Sequence, residues 1–166
     1  MRERNEKSDA LFEKCRNILK KEKIPISKNI TGTYINRRAK SWLGRCKKVG
    51  KEYEIEITAA LLDTEYKIIE TTILHELLHT CPRCMNHGQM WKAYARKINS
   101  TYGYEISTKT SFEKIGIKAP EKREEVKYMV VCTNCGQKYP RKRKCKLTEH
   151  TDAYRCGKCG GKLEIH

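Results

Sequence analysis

Two histidines and a glutamate, in the run His75-Glu76-Leu77-Leu78-His79, constrain this chain more than any other feature. Residues i and i+4 sit on one face of a helix with Cβ atoms about 6 Å apart, so both imidazoles can reach a single metal ion. The flanking residues supply that helix. Ile69, Ile73 and Leu77 form an i, i+4, i+8 apolar stripe, and the two histidines lie two positions further along, about 200° round at 3.6 residues per turn. One face can therefore be buried while another presents both rings. Asp63 or Thr64 is the expected cap, and Pro82 the stop, since the residue before a proline avoids the α region.

The pattern carries chemistry as well as geometry. Glu76 follows the first ligand directly, placed to take a proton from a water that the metal activates for attack on a carbonyl. A catalytic zinc needs three protein ligands and one open position. His87, after seven further residues, is the third candidate, in the first turn of a helix capped by Asn86 with Gln89 at N3. Met90, Trp91, Tyr94, Ala95 and Ile98 give that helix its expected buried stripe, ending near Gly103. Cys81 and Cys84 in the connection leave an alternative open. With His79 and His87 they could close a structural Cys2His2 site, leaving His75 and Glu76 idle. Otherwise they pack, form a local redox pair, or shape the loop.

Upstream, Leu11, Phe12, Cys15, Ile18 and Leu19 predict an amphipathic helix capped by Ser8 and ending near Lys21. Residues 31–36, 40–45 and 53–57 read as short strands, with a turn at Lys48-Val49-Gly50. Downstream, Cys132-x-x-Cys135-Gly and Cys156-x-x-Cys159-Gly are two metal knuckles with zinc-ribbon spacing. Four thiolates close the coordination sphere, so this zinc would be structural and would supply much of the folding free energy of a unit too small for its own core. Cys145 is the spare. The expected fold class is α+β. A small antiparallel sheet packs with three helices in residues 1–120, a linker covers 121–127, and a small β zinc ribbon covers 128–166.

Net charge is +16, and residues 121–166 hold 12 of the 36 Lys and Arg against 6 of the 20 Asp and Glu. An excess this large, spread along the chain and denser toward its C-terminal end, favours a polyanionic partner such as nucleic acid. Lys138, Tyr139, Arg141, Lys142, Arg143, Lys144, Lys146 and Tyr154 form the candidate contact surface, with lysine and arginine for phosphates and tyrosine for stacking on unpaired bases. The competing reading is a solvated hairpin tip with buried tyrosines. Arg37, Arg38, Lys40, Arg45, Lys47 and Lys48 could extend the track. No apolar run approaches the roughly 18 residues of a membrane span, and no apolar segment follows the charged N-terminus. A cytoplasmic protein without disulfides, not associated with a membrane, is expected.

The order of these features resembles the SprT-like family of zinc metalloproteases, which includes the DNA–protein crosslink protease Spartan. Residues 42–46, "WLGRC", are similar to the family's aromatic-plus-glycine strand. "IEITAALL" and "TTILHELLHT" resemble its strand and active helix, and "NHGQMW" its third-ligand segment. The resemblance implies that residues 1–120 are the metalloprotease domain, an HExxH core with a seven-residue gap before the third histidine. His75, His79 and His87 would hold a catalytic zinc, and Glu76 would be the general base. A second, structural zinc would occupy the ribbon. It also implies a DNA-associated endopeptidase, monomeric and located at the nucleoid or other DNA, that cuts proteins bound to single-stranded or branched DNA. The "CPRC" connection departs from the pattern expected of Spartan. A rival reading is a non-catalytic nucleic-acid-binding protein with two structural zinc sites, and a third has the ribbon contact protein instead.

Overall fold

A computed structural model describes residues 3–119 and 126–166 of the chain. These fall into two compact units, Met1–Glu121 and Lys122–His166. The fold class is α+β. Among the described residues no helix is long and apolar enough to cross a membrane.

The first unit begins with α1 (Glu6–Lys21), which buries Leu11, Phe12, Cys15 and Leu19 along one face. Its cap is Asn5 rather than Ser8: the Asn5 side chain accepts from the Ser8 N–H at 3.2 Å, and Ser8 is buried inside the first turn. Three strands follow, β1 (Ile30–Asn36), β2 (Gly44–Val49) and β3 (Glu52–Thr58). Their spatial order is β1-β3-β2, with β3 antiparallel to β2 but parallel to β1. The sheet is therefore mixed, where the sequence suggested a wholly antiparallel one. The reason is which strand the core wants in the middle. Ile55 and Ile57 of β3 are fully buried, whereas the basic β2, Gly-Arg-Cys-Lys-Lys-Val, suits an edge. The chain leaves β1, crosses to the far edge, and returns through the turn at Gly50 (φ 62°) to the centre. That crossing occupies residues 37–43, which moves β2 four residues later than the expected 40–45. Ala39 and Leu43 of the crossing are buried, and the Leu43 carbonyl accepts from Thr58 N–H at 2.8 Å.

Helix α2 (Tyr66–Leu78) is the axis of the unit. The Ile69, Ile73 and Leu77 stripe is completely buried, and so are Leu74 and Leu78. Thr72, Glu70 and Glu76 are buried too, so the helix is enclosed nearly all round by α1, the sheet and α3. Each fully buried Leu or Ile contributes about 1.5–3 kcal/mol, so α2 is held firmly along its length. It ends at Leu78 with His79 as its C-cap, three residues before Pro82. Neither Asp63 nor Thr64 caps its start; Glu65 takes that position, and the Thr64 hydroxyl instead bonds the Leu61 carbonyl at 2.7 Å. Helix α3 (Gln89–Tyr102) starts after Gly88, because Asn86 spends its side chain on the Gly88 N–H at 3.2 Å. Trp91, Ala95 and Ile98 are buried as expected, while Met90 is 50% exposed. Gly103 (φ 68°) ends the helix in the left-handed conformation that glycine tolerates. The chain then doubles back, burying Tyr104, Ile106 and Phe112.

The second unit is a three-stranded antiparallel sheet in the order β5-β4-β6, from β4 (Tyr128–Cys132), β5 (Lys138–Arg141) and β6 (Leu163–Ile165). A four-residue helix α4 (Lys146–Glu149) lies between β5 and the second knuckle. Among the described residues the core of this unit is small, Val130, Cys132, Cys156 and Leu163, with Tyr139 and Leu147 packed against it. Of the expected linker at 121–127, residues 121–125 lie outside the described residues. Lys127, just before β4, donates its N–H to the Arg141 carbonyl at 3.1 Å.

Candidate metal centre and active-site cleft

His75 and His79 project from the last turns of α2, and His87 stands in the connection just before α3, not in its first turn. All three point one ring nitrogen at a common spot. His75 Nε2 is 3.3 Å from His79 Nε2 and 3.0 Å from His87 Nε2. Nitrogens around a tetrahedral metal with bonds of about 2.0–2.1 Å stand roughly 3.3 Å apart, so the three rings fit one ion. Hydrogen bonding on the far side of the rings sharpens this. His79 Nδ1 donates to the Cys84 carbonyl at 2.7 Å, which leaves its Nε2 a bare lone pair. Three ring nitrogens this close together, one of them a bare lone pair, suit a shared cation. Burial and the neighbouring rings push His75 down to about 3, and burial lowers His79 and His87 as well, so the rings are neutral near pH 7, as ligands must be. Trp91 floors the group, its ring centroid 4.6–5.7 Å from the three imidazoles.

Cys81 and Cys84 are absent from this group among the described residues. Both are buried in the hydrophobic core, and burial pushes their thiols up, Cys81 to about 12. The part the connection plays is a main-chain one. Cys84 N–H bonds the Cys81 carbonyl at 3.1 Å, Arg83 adopts a left-handed φ of 61°, and the Cys84 carbonyl is thereby turned onto His79.

Glu76 is buried against β2. Burial pushes its carboxyl up to about 8, opposed by a hydrogen bond from the Cys46 main chain. The approach is so close that a Cβ on Gly44 would lie 2.7 Å from Glu76 Oε1 and 2.7 Å from Thr72 Cγ2. Gly44 thus has a steric function that its place in "WLGRC" does not disclose. A cleft of about 840 Å³ opens beside His75 and Glu76, walled by residues 41–44, by α2 and by residues 103–110.

In the ribbon, Cys132 and Cys159 sulfurs are 3.5 Å apart and those of Cys135 and Cys156 3.6 Å, near the roughly 3.8 Å of a tetrahedral four-sulfur zinc site. A Cβ on Gly161 would come within 3.0 Å of Cys132 Sγ and 3.2 Å of Cys159 Sγ, so the cradle is cut to the sulfurs. Tyr139 is half-buried, and its hydroxyl faces the sulfur cluster. Its hydroxyl donates to Cys156 Sγ at 3.2 Å while accepting from Gly157 N–H at 3.1 Å. That bond, with Lys158 N–H, pulls Cys156 down to about 6. Cys145 lies outside the sulfur group and caps α4. Lys138, Lys142, Arg143, Lys144, Lys146 and Tyr154 are exposed, and Arg141 is half-buried. The upstream basic cluster is in part engaged in ion pairs. Arg37 grips Glu3 through two bonds of 2.6 and 2.7 Å, and both Arg45 and Lys47 bind Glu56.

Residues 9–110 match the family model described as the SprT-like family. A Lactococcus lactis subsp. lactis protein called "Protein SprT-like" is 36% identical over 101 residues, 60% of this chain and 58% of its own length. A Bacillus subtilis protein of the same name is 51% identical over 37 residues, 22% of each chain. This chain therefore spans a little over half of the first relative and a fifth of the second.

Proposed function

Because this chain belongs to the SprT-like family, we propose that it is a zinc-dependent endopeptidase that cuts proteins bound to DNA. The observation that carries the reading is the convergence of three imidazole nitrogens beside a buried carboxyl at the edge of a peptide-sized cleft. Zinc in a three-histidine site supplies a Lewis acid that activates water near neutral pH and polarises a carbonyl. The residues of the chain do the rest. Glu76, with its proton affinity raised toward neutrality, takes the proton of the attacking water and returns it to the leaving amine. The Cys84 carbonyl holds His79 with Nδ1 protonated, and Trp91 keeps water from beneath the rings.

A four-sulfur zinc would hold the ribbon together, and its exposed basic run would keep the enzyme on single-stranded or branched DNA. The charge of +16 and the exposed Arg143 and Lys144 support this. Metal analysis with X-ray absorption should find two zincs per chain, one bound by four sulfurs and one by three nitrogens and an oxygen. Glu76→Gln should keep both while cleavage of a DNA-bound protein falls about 10²–10⁴-fold. A Glu76→Gln chain as active as the parent would refute the catalytic assignment.

A further inference from the structure

Residues 106–108 wall two cavities, not one. On one side they bound the cleft beside His75 and Glu76. On the other they close a groove of about 240 Å³ against α3. Trp91, Ala95 and Ile106, all buried, give that groove an apolar floor. Lys92 and Arg96, both exposed and four residues apart, line it from one face of the helix. No acidic side chain lines it; Glu105, next to Ile106 in the chain, lines the larger cleft instead. Among the described residues neither Lys92 nor Arg96 makes an ion pair. The groove is also preformed. Asn99 Nδ2 donates to the Ile106 carbonyl at 2.9 Å, and Asn99 Oδ1 accepts from the Ile106 N–H at 2.9 Å, so α3 fixes the far wall as well as the floor.

We propose that this groove is a specificity site for an acidic side chain of the peptide substrate, glutamate above all, and that Lys92 and Arg96 select it. Trp91 links it to the chemistry, because the indole that lines the groove lies 4.6–5.7 Å from the three imidazoles. At about 3.3 Å per extended residue, a side chain in the groove belongs to a residue within about three positions of the bond that is cut. Glutamate lays its methylenes on the apolar floor and brings its carboxylate to the two cations. A nucleic-acid phosphate has no apolar part to fill that floor. The volume, below the roughly 300 Å³ at which small-molecule pockets begin, suits one side chain. The inference rests on the endopeptidase reading.

The test uses the full chain and quenched fluorescent peptides carrying Glu, Gln or Lys at each of the three positions on either side of the scissile bond. At one position kcat/KM for the Glu peptide should exceed that for the Gln peptide about five- to thirtyfold, as two partly exposed ion pairs allow. Added salt should shrink the ratio. The double variant Lys92→Gln, Arg96→Gln should bring it to about one, and Arg96→Glu should turn the preference toward Lys. Both positions are exposed, so these chains should keep the parent's thermal midpoint. Equal cleavage of Glu and Gln peptides at every position overturns the proposal and leaves the endopeptidase standing. A preference that survives the double variant also overturns it. So does single-stranded DNA binding that falls in the double variant while the peptide ratio holds, which assigns both cations to phosphate. A parent that cuts none of the peptides refutes the endopeptidase reading instead. The groove is then judged by fluorescence anisotropy of the same peptides: tighter binding of the Glu peptide, lost in the double variant, upholds it, and equal binding overturns it.

Discussion

Replacing Gly44 by alanine tests the contact that sets Glu76 in the cleft. The new methyl would lie 2.7 Å from Thr72 Cγ2, 2.7 Å from Glu76 Oε1 and 2.9 Å from Glu76 Cγ. Carbon atoms settle at about 3.5 Å or more, so the strand and helix must part by about 0.8 Å, or Glu76 must swing away. The strand is not free to yield alone, since Gly44 pairs with Ile57 and the adjacent Leu43 carbonyl holds Thr58. Nor can Thr72 retreat, on a helix enclosed nearly all round. Overpacking of this kind costs about 1–3 kcal/mol. Gly44 has no left-handed φ, so alanine stiffens the unfolded chain and returns about 0.4–1 kcal/mol. The net loss of about 1–2 kcal/mol should lower the thermal midpoint by about 3–10 °C. Activity should fall further, because displacing a catalytic group by about 1 Å costs about 10²-fold. The assays are thermal denaturation and kcat/KM for cleavage of a DNA-bound protein, with zinc content as a control that should not change. A Gly44→Ala chain with the parent's midpoint and kcat/KM within about threefold would show that β2 does not hold the carboxyl.

Two further outcomes concern the ribbon. Tyr139→Phe keeps the ring but loses the hydroxyl on Cys156, so four-cysteine zinc affinity should drop about tenfold or more in chelator titrations while the histidine site is unaffected. Unchanged ribbon affinity would mean that the hydroxyl does not tune the metal. Replacing Arg143 and Lys144 together by alanine should weaken single-stranded DNA binding at low salt. It should also flatten the plot of log K against log salt by about 1.4, at roughly 0.7 per phosphate contact. A slope equal to the parent's would place the DNA contact elsewhere on the chain.

The sequence by itself singled out the candidate metal-binding groups, because i, i+4 and two-residue knuckle spacings are local, but it left open whether Cys81 and Cys84 or His75 joined His79 and His87. A helix brings His75 and His79 together whatever surrounds it, and each Cys-x-x-Cys turn keeps its two sulfurs on one side. The shortest sulfur contacts, Cys132 with Cys159 and Cys135 with Cys156, run between the turns. The apolar stripes of α1, α2 and α3 were legible for the same reason, as was the α+β class. Local pattern could not settle competition between neighbouring groups. Asn5, not Ser8, caps α1, since both can reach the helix start and packing puts Ser8 inside. Strand order depended on which strand the whole core could bury, which made the sheet mixed and put β2 at an edge. The tertiary structure alone decided that Gly44 meets Glu76, that Cys84 turns its carbonyl rather than its thiol toward the centre, and that Asn99 clamps Ile106. It likewise turned the Tyr139 hydroxyl onto a sulfur. Each of these joins parts of the chain that no periodicity relates, or rests on a main-chain group whose direction its side chain does not reveal. The residues that can bind metal are written in the spacing, and the partners that aim them exist only once the chain has packed.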